Sequence, residues 1–134
     1  MNPRLQQGRI VWVELLDPQG RNPKVRPAVV ITTTPEIVAS GEIVVAAMSS
    51  QIDQSRPEVS VELPWDRAGH PKTKLNRRNV VVCDWLVTLP VDAITDDAIG
   101  GTVPFAPMAR ILEIVRSLSG GTSSPPTPQP ETDP

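Results

Sequence analysis

Ile10-Val-Trp-Val-Glu-Leu-Leu16 and Pro27-Ala-Val-Val-Ile-Thr-Thr33 decide the fold. The first run is apolar almost throughout and the second is rich in β-branched residues, which pack well on a pleated surface. Between them Asp17 to Arg26 is dense in turn formers, so the two read as a hairpin with a long connecting loop. Ile43-Val-Val-Ala-Ala-Met48 and Val80-Val-Val-Cys83 are continuous apolar runs, the signature of strands buried on both faces. Glu58-Val-Ser-Val-Glu-Leu63 alternates with period two and has one wet face. Five such strands predict a mainly β protein, a small antiparallel barrel.

Composition agrees. Sixteen prolines and eight glycines in 134 residues exclude a helical bundle, because proline breaks helix interiors and holds the residue before it extended. One helix is expected at the end of the ordered body. Met108, Ile111, Leu112, Val115 and Leu118 form a single apolar stripe at helical spacing, Pro107 suits a first turn, and Gly120 and Gly121 stop the helix. From residue 120 to 134 the chain has no apolar side chain large enough to repay the entropy of ordering. The expected organisation is therefore one domain over 1–119 and a disordered Pro-rich tail over 120–134.

Cys83 is the only cysteine, which excludes an internal disulfide and a Cys-rich metal site, and no metal or cofactor is expected. Residues 1–8 carry no apolar signal segment and no 18-residue apolar run exists, so a cytoplasmic protein with no membrane contact is expected.

Charge is uneven although its sum is small. Without the tail acids Glu131 and Asp133, the body has 13 basic and 13 acidic residues. Arg21, Lys24 and Arg26 fall in the first hairpin loop, and Arg67, Lys72, Lys74, Arg77 and Arg78 fall in the loop before Val80, so eight of the 13 basic residues occupy two loops. Brought to one rim, these loops make a positive cleft suited to a phosphodiester backbone; left apart, they are two solvated loops. Pro27 holds Arg26 extended, so a permanently charged fork is presented from a rigid point. Ser49 and Ser50 end the third strand, where hydroxyls either close a turn or donate to phosphate. Asp84 stands where a buried run meets a polar group and needs a partner, the backbone or an arginine. His70, the only histidine, lies in a loop and titrates near neutrality when unperturbed. Trp65 either stacks on a base or covers the barrel end.

The order Gly8-Arg-Ile-Val-Trp-Val-Glu-Leu-Leu-Asp17-Pro18, then Arg26-Pro27-Ala-Val-Val-Ile31, then Ile43-Val-Val-Ala-Ala-Met-Ser49-Ser50, and later Val80-Val-Val-Cys83-Asp84 resembles the MazF/PemK toxins of type II toxin–antitoxin systems. The resemblance covers roughly residues 8 to 118. It implies an SH3-like antiparallel barrel with a C-terminal helix, a homodimer with RNA-binding grooves, and an antitoxin whose tail occludes them. It also implies metal-independent endoribonuclease cleavage of single-stranded RNA, inhibiting translation and growth, with the catalytic arginine at Arg26 and the catalytic hydroxyl at Ser49. The sequence departs from the pattern in two places. The first loop, Gly20-Arg21-Asn22-Pro23-Lys24, lacks the glutamate of many members, and an Arg-x-Asp of another branch reads Val82-Cys83-Asp84 here.

The leading expectation makes Arg26, Ser49 and Asp84 catalytic and Arg21, Lys24, Ser50, Arg67, His70, Lys72, Lys74, Arg77 and Arg78 RNA-binding. Asp84 and His70 are the two candidates for the base that takes the 2′-OH proton. The alternative is a catalytically weak or inactive dimer of the same fold that binds nucleic acid or protein. A third reading, the gyrase-poisoning branch, needs an ordered aromatic C-terminal end that the Gly/Pro tail does not offer.

Overall fold

The computed structural model describes residues 5–17, 19–50 and 56–119; the tail expected over 120–134 lies outside them. Its elements are β1 (Arg9–Leu15), β2 (Lys24–Val30), α1 (Thr34–Ser40), β3 (Glu42–Ser49), β4 (Ser60–Glu62), β5 (Val80–Pro90), β6 (Ile99–Thr102) and α2 (Phe105–Ser119). The strands form one six-stranded antiparallel sheet in the order β4-β5-β3-β2-β1-β6. The protein is mainly β with a C-terminal helix, as its strand runs and its single apolar stripe require.

Both faces of the curled sheet are covered, which is why β1, β2 and β3 read as near-continuous apolar runs. One layer gathers Ile10, Val29, Ala46, Met48, Val81 and Cys83 under Met108, Ile111 and Ile114 of α2. The other gathers Val11, Val13, Ala28, Val30, Val45 and Ala47 with Ile37 of α1 and Ile99 of β6. Ile114 is buried while Leu118 is half exposed, so the packed stripe stops one turn short of the expected one.

Three features were not expected. Helix α1, after Thr33, has Pro35 in its first turn and ends at Gly41 in the left-handed region (φ 73°), the standard stop for a helix. Strand β5 runs seven residues past Cys83 to Pro90. Strand β6 is the short Ile-Gly-Gly-Thr segment beside β1.

A register shift divides β5. Ala46 pairs with Leu86 but Met48 pairs with Val81, so residues 82–85 bulge opposite Ala47. A bulge re-aims the side chains after it. Cys83 accordingly sits in the α2 layer and Trp85, two residues on, packs against the opposite layer.

The loop between β4 and β5 leaves one edge of the sheet and reaches the other, where the Thr102 amide donates to the Lys72 carbonyl at 2.8 Å. Gly101 makes this approach possible, since a Cβ there would lie 2.2 Å from the Lys72 carbonyl oxygen. The loop closes the half-barrel that six strands leave open.

Candidate nucleic-acid cleft

At the end of the sheet where β1 and β3 finish and β2 and β5 begin, these strands and their connecting loops leave a cleft of about 910 Å³. Pro27, which has no N–H to give to a ladder, stands where pairing on the β3 side of β2 has ended, while on the other side it stays in register with Trp12 of β1. The β2–β3 ladder runs from Val30–Val45 to Ala28–Ala47 and no further, and Pro27 and Met48 line the cleft just beyond it. Continuing the same register by two residues sets Arg26 opposite Ser49, and both line the cleft.

Arg26 is half-buried and its guanidinium carbon lies 5.1 Å from the ring centre of Trp85, the residue that the β5 bulge turns to this side. A cation over an indole face is attracted by the ring quadrupole. Among the described residues no carboxylate pairs with Arg26, and its Nε is buried without a hydrogen-bond partner. An uncompensated donor on a fixed cation favours an incoming anionic oxygen.

Lys24, Arg56 and Arg77 also line the cleft, giving, among the described residues, four cations against one lining carboxylate, Asp17. Asp17 is already engaged: it accepts from the amides of Gln19 (3.0 Å) and Arg21 (2.8 Å) and from Nδ2 of Asn22 (2.7 Å). The Arg21 amide is the main cause holding this carboxyl below the usual carboxylate value. The cleft is thus strongly positive and holds aromatic surface at Trp12 and Trp85.

Of the residues singled out from the sequence, Arg26, Ser49, Ser50, Lys24 and Arg77 come together in the cleft, whereas Arg21, Arg67, His70, Lys72, Lys74, Arg78 and Asp84 are not among its lining residues. Lys24 and Arg26 belong to β2 itself rather than to the preceding loop. Arg78 makes a two-pronged pair with Glu62 (2.8 and 2.9 Å), and that pairing holds the Glu62 carboxyl below its ordinary value. His70 has a structural task in the closing loop, its Nδ1 accepting from the amides of Lys72 (3.1 Å) and Thr73 (3.3 Å). Trp65 lies in that same loop, partly exposed and away from the cleft lining. Asp84 finds its partner in Arg56, a residue that the charge-cluster reading missed because it stands alone between Gln54 and Glu58. Trp12 was missed because its strand reads as core, yet 41% of it is exposed, and the absence of a side chain at Gly100 leaves its indole room. Among the described residues no group of three or more His, Cys, Asp or Glu side chains gathers as a metal site, and no helix is long and apolar enough to cross a membrane.

The family described as PemK-like, MazF-like toxin of type II toxin–antitoxin system matches residues 6–118. The chain belongs to this PemK/MazF toxin family. None of the curated proteins matches it. Among solved structures, a MazE–MazF complex from Deinococcus radiodurans is similar with a TM-score of 0.66 at 18% identity, covering 90% of this chain and 100% of that one. An endoribonuclease in complex with its cognate antitoxin from a mycobacterial species gives 0.66 at 15%, covering 88% and 97%. MazF alone from Deinococcus radiodurans gives 0.63 at 20%, covering 84% and 94%. At these identities the structures establish a shared fold, and the PemK/MazF toxin architecture accounts for the six-stranded curled sheet with its C-terminal helix.

Proposed function

We propose that the protein is a toxin-type endoribonuclease that cuts single-stranded RNA without a metal and is neutralised by a cognate antitoxin. The observation that carries this reading is the meeting of Arg26 and Ser49 in one cationic cleft. RNA can cleave itself when its 2′-oxygen attacks the adjacent phosphorus: the 2′-O–P bond forms, the P–O5′ bond breaks, and the 2′ proton leaves while the 5′-oxygen gains one. The products are a 2′,3′-cyclic phosphate and a 5′-hydroxyl.

Arg26 is suited to the charge that develops on the pentacoordinate phosphorus, because a guanidinium stays protonated and grips two oxygens at once. Removing one such fixed donor typically costs ~10²- to 10³-fold in rate. Ser49, at the end of β3, holds a phosphate oxygen in this account. Among the described residues the lining offers no unengaged carboxylate to take the 2′ proton, since Asp17 already accepts three hydrogen bonds. Water takes that proton, and missing general-base help lowers the rate by ~10²- to 10⁴-fold relative to a fully equipped site. The enzyme is therefore slow.

The mycobacterial endoribonuclease bound to its cognate antitoxin, and the MazE–MazF complexes, support an antitoxin partner here. A homodimer acting in the cytoplasm, with the ordered domain over 1–119, completes the proposal. Induction of the gene should arrest growth, and co-expression of the neighbouring antitoxin gene should relieve it. The engaged state of Asp17 favours a second reading, an RNA-binding dimer without catalysis. Salt-dependent RNA affinity with no cyclic-phosphate product would select it.

A further inference from the structure

We propose that Arg56 is a second phosphate-gripping residue of the cleft and that Asp84 acts through it, as a positioning residue. This inference rests on the reading of the cleft as an RNA site and extends it to a side chain outside the two basic loops.

Arg-Pro occurs twice in the chain, at Arg26-Pro27 and Arg56-Pro57, and both arginines line the cleft. The following proline excludes the helical region for the arginine, so each guanidinium starts from an extended, restricted backbone. Arg56 is extended at φ −101°, ψ 115°, and caps the 3₁₀ turn Pro57–Val59, its carbonyl accepting from the Val59 amide at 3.1 Å. Val59 is buried in the α2-side core, which ties the backbone at Arg56 to the body of the protein.

The side chain is held at its other end as well. Its Nη2 pairs with Oδ2 of Asp84, which lies in the β5 bulge. That contact occupies one of the three guanidinium nitrogens, and the side chain remains 59% exposed, so the other donors are open to a ligand in the cleft. Arg26 and Arg56 are therefore anchored differently for one task, the first over an indole face and the second on a carboxylate. A flexible lysine in either place would lose more rotamer freedom on gripping a phosphate than these restrained forks do.

The partnership gives Asp84 a place in the site without its lining the cleft. The carboxylate reduces local positive charge, so if its charge were its whole contribution, removing it would strengthen binding of an anion. As the anchor of Arg56, its removal weakens binding. The two roles have opposite signs.

The test is binding of a short single-stranded 2′-O-methyl RNA, which cannot be cut because its nucleophile is capped, measured by fluorescence anisotropy over a range of KCl concentrations. Arg56→Ala should weaken binding about tenfold and flatten the log–log salt slope by about 0.7, the value for one phosphate contact on a single strand. Arg56→Lys should keep the slope and lose only part of the affinity. Asp84→Ala should weaken binding in the wild-type background and should not weaken it further on top of Arg56→Ala. Equal melting temperatures show that the variants fold, as expected for so exposed a side chain. An unchanged slope in Arg56→Ala, tighter binding by Asp84→Ala, or no binding by the wild type overturns the inference. A wild type that binds this probe yet leaves ordinary RNA intact overturns the nuclease reading alone, and a wild type that cuts RNA while Arg56→Ala keeps the wild-type slope overturns the role of Arg56 alone.

Discussion

Arg26 on β2 and Ser49 on β3 each lie two residues past the last β2–β3 pair, Ala28–Ala47, in one register and on the rim of one cleft. Each is held in the sheet on its outer side, Arg26 paired with Val13 of β1 and Ser49 with Val80 of β5. A permanent cation and a hydroxyl are thus fixed on rigid strands, the kind of support that a preorganised site needs.

Trp85 sets how Arg26 is held. The contact at 5.1 Å is an attraction of ~0.5–2 kcal/mol, so Trp85→Ala should lower RNA cleavage by about two- to thirtyfold, while Trp85→Phe, which keeps an aromatic face, retains most of it. Initial rates on a labelled RNA check this. Equal rates for the alanine and phenylalanine variants would contradict it.

Gly101 holds the closing loop against β6. A methyl at this position meets the backbone of Lys72 and Thr73 at 2.2–2.4 Å, so Gly101→Ala forces the loop away or strains the edge strand. Such overpacking costs ~1–3 kcal/mol, which lowers the melting temperature by several degrees. Thermal unfolding followed by circular dichroism measures the change.

Cys83 is a core residue, not a reactive one. Burial pushes its thiol up to about 11, so the native protein at neutral pH should not react with a disulfide reagent until it unfolds. Since the folded thiol ionises later than the unfolded one (pKa about 8.5), its contribution to stability is complete below about pH 8.5 and is lost as pH rises toward about 11. Cys83→Ala should reduce that alkaline loss in urea titrations.

Asp17 behaves oppositely. Its carboxyl is held low by the Arg21 amide and Asn22, so the turn it organises is intact above the unfolded carboxylate value of about 4 and loosens as pH falls through the lower folded value. Amide exchange at Arg21 should accelerate over that acidic window, and in Asp17→Ala it should be fast at every pH.

Much of the sheet was legible because apolar runs of β-branched residues have few alternatives to a buried strand. The Ile43–Met48 and Val80–Cys83 runs lie within β3 and β5, the Ile10–Leu16 run overruns β1 by one residue, and the Pro27–Thr33 run overlaps β2 only as far as Val30, the strand itself starting three residues earlier at Lys24. The rest was hidden for identifiable reasons. Two glycines in β6 carry no side-chain pattern, and the strand exists because β1 offers it an edge. The outer half of β5 does alternate, with Trp85, Val87 and Leu89 packed inward, but Leu86 on the wet face and Pro90 at the end blur the period. In the site, local charge density pointed to loops, whereas the cleft recruits by geometry. It takes Arg77 from a cluster of five and Arg56 from isolation, and it leaves Lys72 and Lys74 outside.

The most direct test is an assay of purified wild type and Arg26→Ala on end-labelled single-stranded RNA in excess EDTA. The wild type should give discrete fragments ending in 2′,3′-cyclic phosphate and 5′-hydroxyl, and Arg26→Ala should be slower by ~10²- to 10³-fold. Intact RNA with the wild type, or the same fragments at the same rate from Arg26→Ala, would contradict this.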